Sequence, residues 1–105
     1  MILAQTRPDA TGAFVVFEAK TLTRLDRVFV SNHTAGAISY SIFIDHGDRE
    51  TDTLTQATAI AYAVSLAANS TANIEFLTTI QQGVRLGVAA SAADSLTFTV
   101  FGEEA

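Results

Sequence analysis

The sequence has no cysteine, a single proline and few charged residues. Without cysteine the chain can form no disulfide, no thiolate metal site and no cysteine nucleophile. Charged residues make up 16% of the chain, against ~25% in typical globular domains. The polar surface must therefore consist mostly of Thr, Ser, Asn and Gln, which is better tolerated where neighbours cover it, because charge keeps free monomers soluble. The low charge favours a subunit of an assembly, such as a homo-oligomer.

Basic residues are the scarcer of the two charged kinds. Lys and Arg together number 6 against 11 Asp and Glu, which gives a net charge of −5. Binding to nucleic acid or to anionic lipid needs a basic surface, so we expect neither nucleic acid nor membrane among the partners. The N-terminus has no basic segment followed by an apolar one, and no apolar run approaches the ~20 residues of a membrane span. We expect a protein that is made and used without export.

The dominant pattern that is present is an alternation of apolar and polar residues with period two. It runs through residues 25–32, 37–45, 73–77, 83–90 and 95–102, and residues 13–19 are rich in residues that favour strands. Short alternating runs separated by turn residues are typical of half-buried antiparallel strands. Residues 57–68 are rich in Ala and could be helical by propensity, but their apolar side chains alternate, so we interpret 60–66 as a strand. The alternating residues of that segment are Ile60, Tyr62, Val64 and Leu66.

The length and the strand pattern together predict the architecture. A chain of 105 residues suits one domain, and a hydrophobic content of 49% is too high for a disordered one. We predict a single-domain antiparallel β-sandwich, jelly-roll-like, with about seven or eight strands. The sandwich covers residues 13–105, and residues 1–12, which contain the proline, form an N-terminal arm.

The stretch FIDHGDRETD, residues 43–52, holds the densest group of ionisable side chains. They include Asp45, His46, Asp48, Glu50 and Asp52. The spacing is unlike that of a calcium loop, because the Gly comes too early and no Glu follows at the twelfth position. Zinc or iron would need more imidazole, and the two histidines, His33 and His46, lie at opposite ends of the 37–45 strand. We interpret residues 45–52 as a polar turn, which either faces solvent or meets a basic patch on a neighbour.

No pattern typical of an enzyme is present in the sequence. Neither the G-x-S-x-G nucleophile motif nor a phosphate-binding glycine loop occurs, and Glu103 and Glu104 are interpreted as a solvated end. We therefore predict that the protein is not an enzyme, that it has no catalytic, cofactor-binding or metal-binding residues, and that it needs no cofactor. Gly83 is predicted to open a strand, and Gly87 to mark a bulge or a close backbone approach.

Some aromatic and Asn residues allow two interpretations. Phe29, Phe43 and Phe101 point away from the main apolar set of their strands, so they either complete a second buried layer or form an exposed patch at an interface. We favour the buried layer. NHT at Asn32 and NST at Asn69 match the glycosylation pattern, but we interpret both as turns, because no export signal precedes them.

Two longer segments carry a family resemblance. The first, LDRVFVSNHTAGAISYSIFID, has a strand, a Val-x-Asn, a turn and an alternating strand. The second, VSLAANSTANIEFLTTIQQGVRLGVAASAADSLTFTVFGEE, continues with a Ser-Thr turn, a Gly-opened G-x-x-L-x-V strand and a closing strand that ends in Gly-Glu. Over residues 13–104 the chain resembles the small β-sandwich virion proteins of tailed bacteriophages.

The resemblance implies a non-enzymatic structural protein of the virion, most simply a capsid decoration or cement subunit. Its partners would be the major capsid protein or other virion subunits, and further copies of itself. It would be located in the virion after assembly in the host cytoplasm. The alternatives are a tail, fibre or baseplate component, or a carbohydrate-binding module for adhesion to the host. Residues 1–12 and the acidic C-terminal tail are candidates for contacts with neighbours.

Overall fold

The chain forms eight β-strands in a computed structural model that describes residues 1–45, 54–55 and 58–105. The strands are β1 (Ile2–Thr6), β2 (Phe14–Glu18), β3 (Thr23–Asn32), β4 (Ile38–Asp45), β5 (Ala59–Leu66), β6 (Ser70–Ile80), β7 (Arg85–Ala90) and β8 (Leu96–Glu104). The ambiguous Ala-rich segment is therefore a strand, β5, as predicted. No helix in this part of the chain is long and apolar enough to cross a membrane.

The strands form two four-stranded antiparallel sheets. Sheet A has the order β1-β8-β3-β6, and sheet B has the order β2-β7-β4-β5. Each strand of the first half of the chain thus pairs with its counterpart counted from the other end: β1 with β8, β2 with β7, β3 with β6 and β4 with β5. The chain is one long antiparallel hairpin wrapped into two sheets, which is the jelly-roll arrangement. The predicted antiparallel β-sandwich is confirmed.

The core lies between the two sheets and is supplied mainly by the four central strands. Alternate residues of β3, β8, β4 and β7 point inward, as a period of two requires. The side chains with at most 1% exposure include Leu25, Val28, Val30, Ile42, Leu86, Val88, Leu96, Phe98 and Val100. Each such burial contributes roughly 1.5–3 kcal/mol relative to an exposed position. The edge strands β1, β2, β5 and β6 add half-buried residues around this centre.

The N-terminal segment is partly built into the sandwich. Residues 2–6 form β1 and pair with β8, with Ala4 opposite Val100. The boundary drawn after residue 12 therefore falls in the connection from β1 to β2. Pro8 is buried in this connection, and its carbonyl oxygen accepts a hydrogen bond from the Asp94 amide at 2.8 Å.

Asn32, at the end of β3, joins three parts of the fold. It is fully buried, and its side-chain amide donates to the carbonyl oxygens of Gly36, Leu66 and Ala67 at 3.0, 3.0 and 3.1 Å. Its side-chain oxygen accepts from the backbone N–H and the hydroxyl of Thr34. The buried side chain of Asn32 therefore holds the 33–37 turn and the end of β5 in place by hydrogen bonds. This agrees with its interpretation as a turn residue. Asn69 lies in the β5–β6 turn with a φ of 55°.

Candidate interaction surface

The sandwich has two open sides, where the edge strands of the two sheets lie next to each other. One is formed by β1 and β2, and we call it the β1/β2 side; the other is formed by β5 and β6, and we call it the β5/β6 side. Large apolar side chains are exposed along the second. They are Ile60 at 46%, Tyr62 at 52%, Val64 at 40% and Leu77 at 68%. The β1/β2 side exposes large apolar side chains as well, those of Met1, Ile2, Phe14 and Val15, so apolar exposure alone does not distinguish the two sides.

Charge is nearly absent from the β5/β6 side. Strand β5 has no charged residue, and β6 has one, Glu75, which lies opposite Arg27 of β3. The whole of residues 53–74 is free of Asp, Glu, Lys and Arg. Proteins usually protect edge strands with charged side chains, because an exposed edge offers unpaired N–H and C=O groups to another strand. β5 lacks that protection.

β5 follows an irregular path against β4. The pairs are Tyr40 with Val64, Ile42 with Ala61 and Phe43 with Ala59, so that two register shifts lie between them. Ala63 occupies the left-handed region with a φ of 50°, and its N–H donates to the hydroxyl of Ser41 at 2.9 Å. Bulges of this kind redirect side chains.

The bulges correct one prediction. Strict alternation was expected to place Ile60, Tyr62, Val64 and Leu66 on one face. Instead Leu66 is in the core, whereas the ring of Tyr62 packs on Phe43 at the outside of sheet B, with centroids 6.5 Å apart. The extra residues in β5 break the period of two that the prediction assumed.

A shallow groove of about 420 Å³ lies beside Tyr62 on the outer face of sheet B. Its lining includes Thr11, Ser39, Ser41, Phe43, Leu54, Thr55, Tyr62, Ala89 and Ser91. The polar groups among the described lining residues are hydroxyls and backbone groups, with no carboxylate, imidazole or ammonium. Two of the hydroxyls are already used: Ser41 accepts from Ala63 and Ser91 accepts from the Ser39 amide. The groove can hold an apolar or stacking group, and its described lining offers nothing for general acid–base catalysis.

Leu54 closes one end of this groove. Its side chain is 9% exposed and lies directly over Gly87 of β7. A Cβ at Gly87 would lie 2.7 Å from Leu54 Cδ2 and 3.1 Å from the Phe14 carbonyl oxygen. The close approach predicted for Gly87 is therefore real, and the neighbour is a side chain that crosses the outer face of sheet B. Gly83, with a φ of 91°, precedes β7 in the turn that opens it, as predicted.

The acidic stretch 43–52 is described only at its beginning. β4 extends to Asp45, whose side chain is 1% exposed and forms an ion pair with Arg85 of β7. Asp45 and Arg85 are direct cross-strand partners, and Glu18 of β2 is opposite Arg85 on its other side. Asp45 thus belongs to the sheet rather than to the polar turn in which the sequence placed it. His46, Asp48, Glu50 and Asp52 lie outside the described residues.

A second charged group lies at the start of β3 and the end of β8. The guanidinium of Arg24 donates to the carboxylate of Asp26 at 2.8 Å and lies 3.9 Å from that of Glu103. This hydrogen bond holds the pKa of Asp26 below its usual value, and the same bond raises the pKa of Arg24. Glu103 and Glu104 are exposed. Because all of these groups are on the surface, the cluster contributes little to stability.

The remaining candidates for chemistry are dispersed. His33 is exposed in the turn after β3, far along the chain from the acidic pair of β8. Across the described part of the chain, no group of three or more His, Asp or Glu side chains could hold a metal ion.

The three unusual Phe residues lie on the outer faces of the sheets. Phe29 and Phe101 contact each other edge to face on sheet A, with centroids 5.2 Å apart, and both are half-buried. Phe43 is 3% exposed on sheet B under Tyr62 and Leu54. The favoured interpretation, a second buried layer, holds for Phe43 only. Phe29 and Phe101 instead form a small pair on the surface of sheet A.

Two solved structures of infectious bursal disease virus contain chains with this fold. The structure of the Gx strain matches with a TM-score of 0.53 and 17% identity over 95% of this chain. The crystal structure of the VP2 subviral particle matches with a TM-score of 0.54 and 14% identity over 97% of this chain. The chain spans only 31% and 30% of those viral chains. At such identities the likeness establishes the fold. No family model and no curated protein matches the chain.

Proposed function

We propose that this chain is a non-enzymatic structural subunit of a virus particle, and specifically a decoration or cement subunit on the head of a tailed bacteriophage. The observation that carries the proposal is the jelly roll itself, which takes up nearly the whole chain and is similar to a part of chains from a viral and a subviral particle. The resemblance of the strand and turn pattern to small phage virion proteins supplies the more specific role. Its partner is then the major capsid protein, and its location is the virion after assembly in the host cytoplasm.

Adhesion is the mechanism that the surface supports best. The β5/β6 side exposes apolar side chains without charge, and the described lining of the groove offers hydroxyls and an aromatic ring. Removing such a surface from water costs little free energy, because few charged groups need to be desolvated. The N-terminal segment 1–12 adds exposed Met1 and Ile2, which we propose as a further contact with a neighbouring subunit.

Co-sedimentation with separated phage parts tests this proposal. Purified chain is mixed with heads and with detached tails of the phage whose genome encodes it, and bound protein is measured after sedimentation. We expect saturable binding to heads and none to tails. Binding to tails alone would replace the head role with a tail, fibre or baseplate role. Binding to neither would refute a structural role in the virion.

A carbohydrate-binding module for host adhesion is the second candidate, and the groove is the observation that favours it. Tyr62 is half-exposed beside Phe43 and next to several hydroxyls, which is a setting in which a sugar ring could stack. The described lining lacks the charged or amide side chains that usually orient a ligand. A glycan array decides between the two functions. Discrete hits that disappear in Tyr62→Ala would favour the carbohydrate module, and a blank array would favour the structural subunit.

A further inference from the structure

We propose that two copies of this chain associate through β5, with the two β5 edges antiparallel about a two-fold axis, so that sheet B continues from one copy into the next. This names the partner of the β5/β6 side. The inference goes beyond the proposed function and does not depend on the chain's position in a virion.

The first support is the condition of the β5 edge. Among the described residues β5 pairs with β4 alone, so no strand among them is hydrogen-bonded to its other edge. It is 8 residues long, which corresponds to about 27 Å of edge. Natural edges of this length are normally shortened, bulged, charged or covered. β5 has two bulges but no charge, and it exposes Ile60, Tyr62 and Val64.

The second support is the distribution of charge, which favours a copy of the same chain over a basic partner. A chain of net charge −5 repels its own copies, so two copies meet at least cost where neither carries charge. Residues 53–74, which contain all of β5, are the longest stretch without Asp, Glu, Lys or Arg. A basic partner would instead be drawn to acidic residues, and β5 has none to offer.

The third support is symmetry. A two-fold axis presents the same surface of each copy to the other, so that a self-complementary patch is enough. An edge strand satisfies this requirement, because its N–H and C=O groups pair with those of an antiparallel copy. With the axis near the middle of β5, Ile60, Tyr62 and Val64 of both copies lie along a single interface.

Cysteine cross-linking tests the pairing directly, because the natural chain has no cysteine. Single variants Ile60→Cys, Tyr62→Cys and Val64→Cys are oxidised, and covalent dimer is measured on non-reducing gels. The matched control is Val15→Cys, since Val15 is on β2, the other edge of sheet B, and is 36% exposed against 40% for Val64. We expect at least one β5 variant to form dimer about tenfold faster than Val15→Cys. Equal or slower cross-linking of all three would overturn the proposal.

Charge insertion tests the same interface without a covalent bond. Two lysines buried close together in an interface repel and must lose water, so Val64→Lys should raise the dimer dissociation constant at least about a hundredfold in analytical ultracentrifugation. Val15→Lys should leave it unchanged. Circular dichroism and thermal unfolding of both variants show whether the fold is retained. A natural chain that stays monomeric at high concentration, or a dimer that Val15→Lys dissociates and Val64→Lys does not, would contradict the inference.

The two proposals fail in different ways. If heads bind the chain and β5 does not cross-link, the structural role stands and the β5 dimer is wrong. If β5 cross-links and neither heads nor tails bind, the dimer stands and the virion role is wrong.

Discussion

The two open sides of the sandwich differ in how their edge strands are protected from pairing with other chains. On the β1/β2 side both edge strands have 5 residues, Pro8 follows the first, and charged residues follow or end both, including Arg7 and Glu18. On the β5/β6 side the strands have 8 and 11 residues and a single charge. Both sides contain register shifts, so bulges do not distinguish them. Length and charge do, and they leave the β5/β6 side less protected than the β1/β2 side.

Backbone strain follows the same division. Among the described residues, four non-Gly positions have positive φ, and the two of them inside strands are Ala63 of β5 and Leu77 of β6. The other two, Asn69 and Asp94, are turn residues of types that tolerate this region. Strain of this kind persists where the surroundings hold it and often marks functional surfaces. The β5/β6 side thus combines exposure, neutrality and strain.

The largest expected effect comes from breaking the anchor of the β5/β6 side. In Asn32→Asp the buried side chain can no longer donate to Gly36, Leu66 and Ala67, and it places a carboxylate against three carbonyl oxygens. We expect a loss of about 4 kcal/mol in the free energy of unfolding, measured by urea denaturation. Gln5→Glu is the matched control on β1, where a part-buried amide donates to the Thr99 hydroxyl at 2.9 Å, and it should cost less than about 1 kcal/mol. Similar losses of unfolding free energy in Asn32→Asp and Gln5→Glu would mean that the two sides do not differ in how strongly a buried amide anchors them.

The next effect disrupts the centre of sheet A, beside the β1/β2 side. A Cβ at Gly102 of β8 would overlap the backbone oxygen of Arg24 and lie 2.8 Å from Leu3 Cδ1 of β1. Because the first neighbour is backbone, β3 and β8 must shift apart, and we expect Gly102→Ala to cost about 3 kcal/mol in thermal unfolding. At Gly36 a Cβ meets nothing within 4 Å, so Gly36→Ala is the control and should be close to neutral. A stable Gly102→Ala would mean that β3 and β8 separate here more easily than their pairing indicates.

A smaller effect sharpens the comparison within β5. Ala63 pays for its left-handed backbone, at about 1–2 kcal/mol for an L-residue, so Ala63→Gly should raise the free energy of unfolding by about 0.5–1 kcal/mol. Ala61 packs against the core and has no positive φ. Ala61→Gly should therefore have the opposite effect and lower the free energy of unfolding by about 1 kcal/mol. Urea denaturation at one fixed protein concentration measures both, since association shifts apparent stability. The same sign for both changes would show that the bulge is unstrained.

The sequence predicts the fold better than it predicts the surface, for physical reasons. Alternation identified most strands, because inward positions of the central strands are buried and the positions between them are more exposed, as in the second half of β3. Alternation failed in β5, because no residue type marks the positions of its bulges. It also placed Phe29 and Phe101 in a buried layer, whereas both lie on the outer face of sheet A. One feature of the sequence could have predicted the β5/β6 side as an unprotected surface, namely the absence of charge from residues 53–74. Asp45 looked like a turn residue because its partner, Arg85, is distant in sequence.

The smallest expected effect concerns Tyr40, which lies on β4 opposite Val64 of β5 and is 6% exposed. Burial raises its pKa above the ordinary 10.0, so the folded chain keeps the phenol proton at a pH where the unfolded chain has lost it. The associated stability is therefore complete below pH 10 and is lost as the pH rises through the folded pKa. Tyr40→Phe should remove this alkaline loss in urea denaturation from pH 8 to 11, while Tyr62→Phe, whose ring is 52% exposed, should not. If Tyr40→Phe left the slope unchanged, β5 would have to open readily enough to hydrate Tyr40, and its edge would then be a poor template for a second copy.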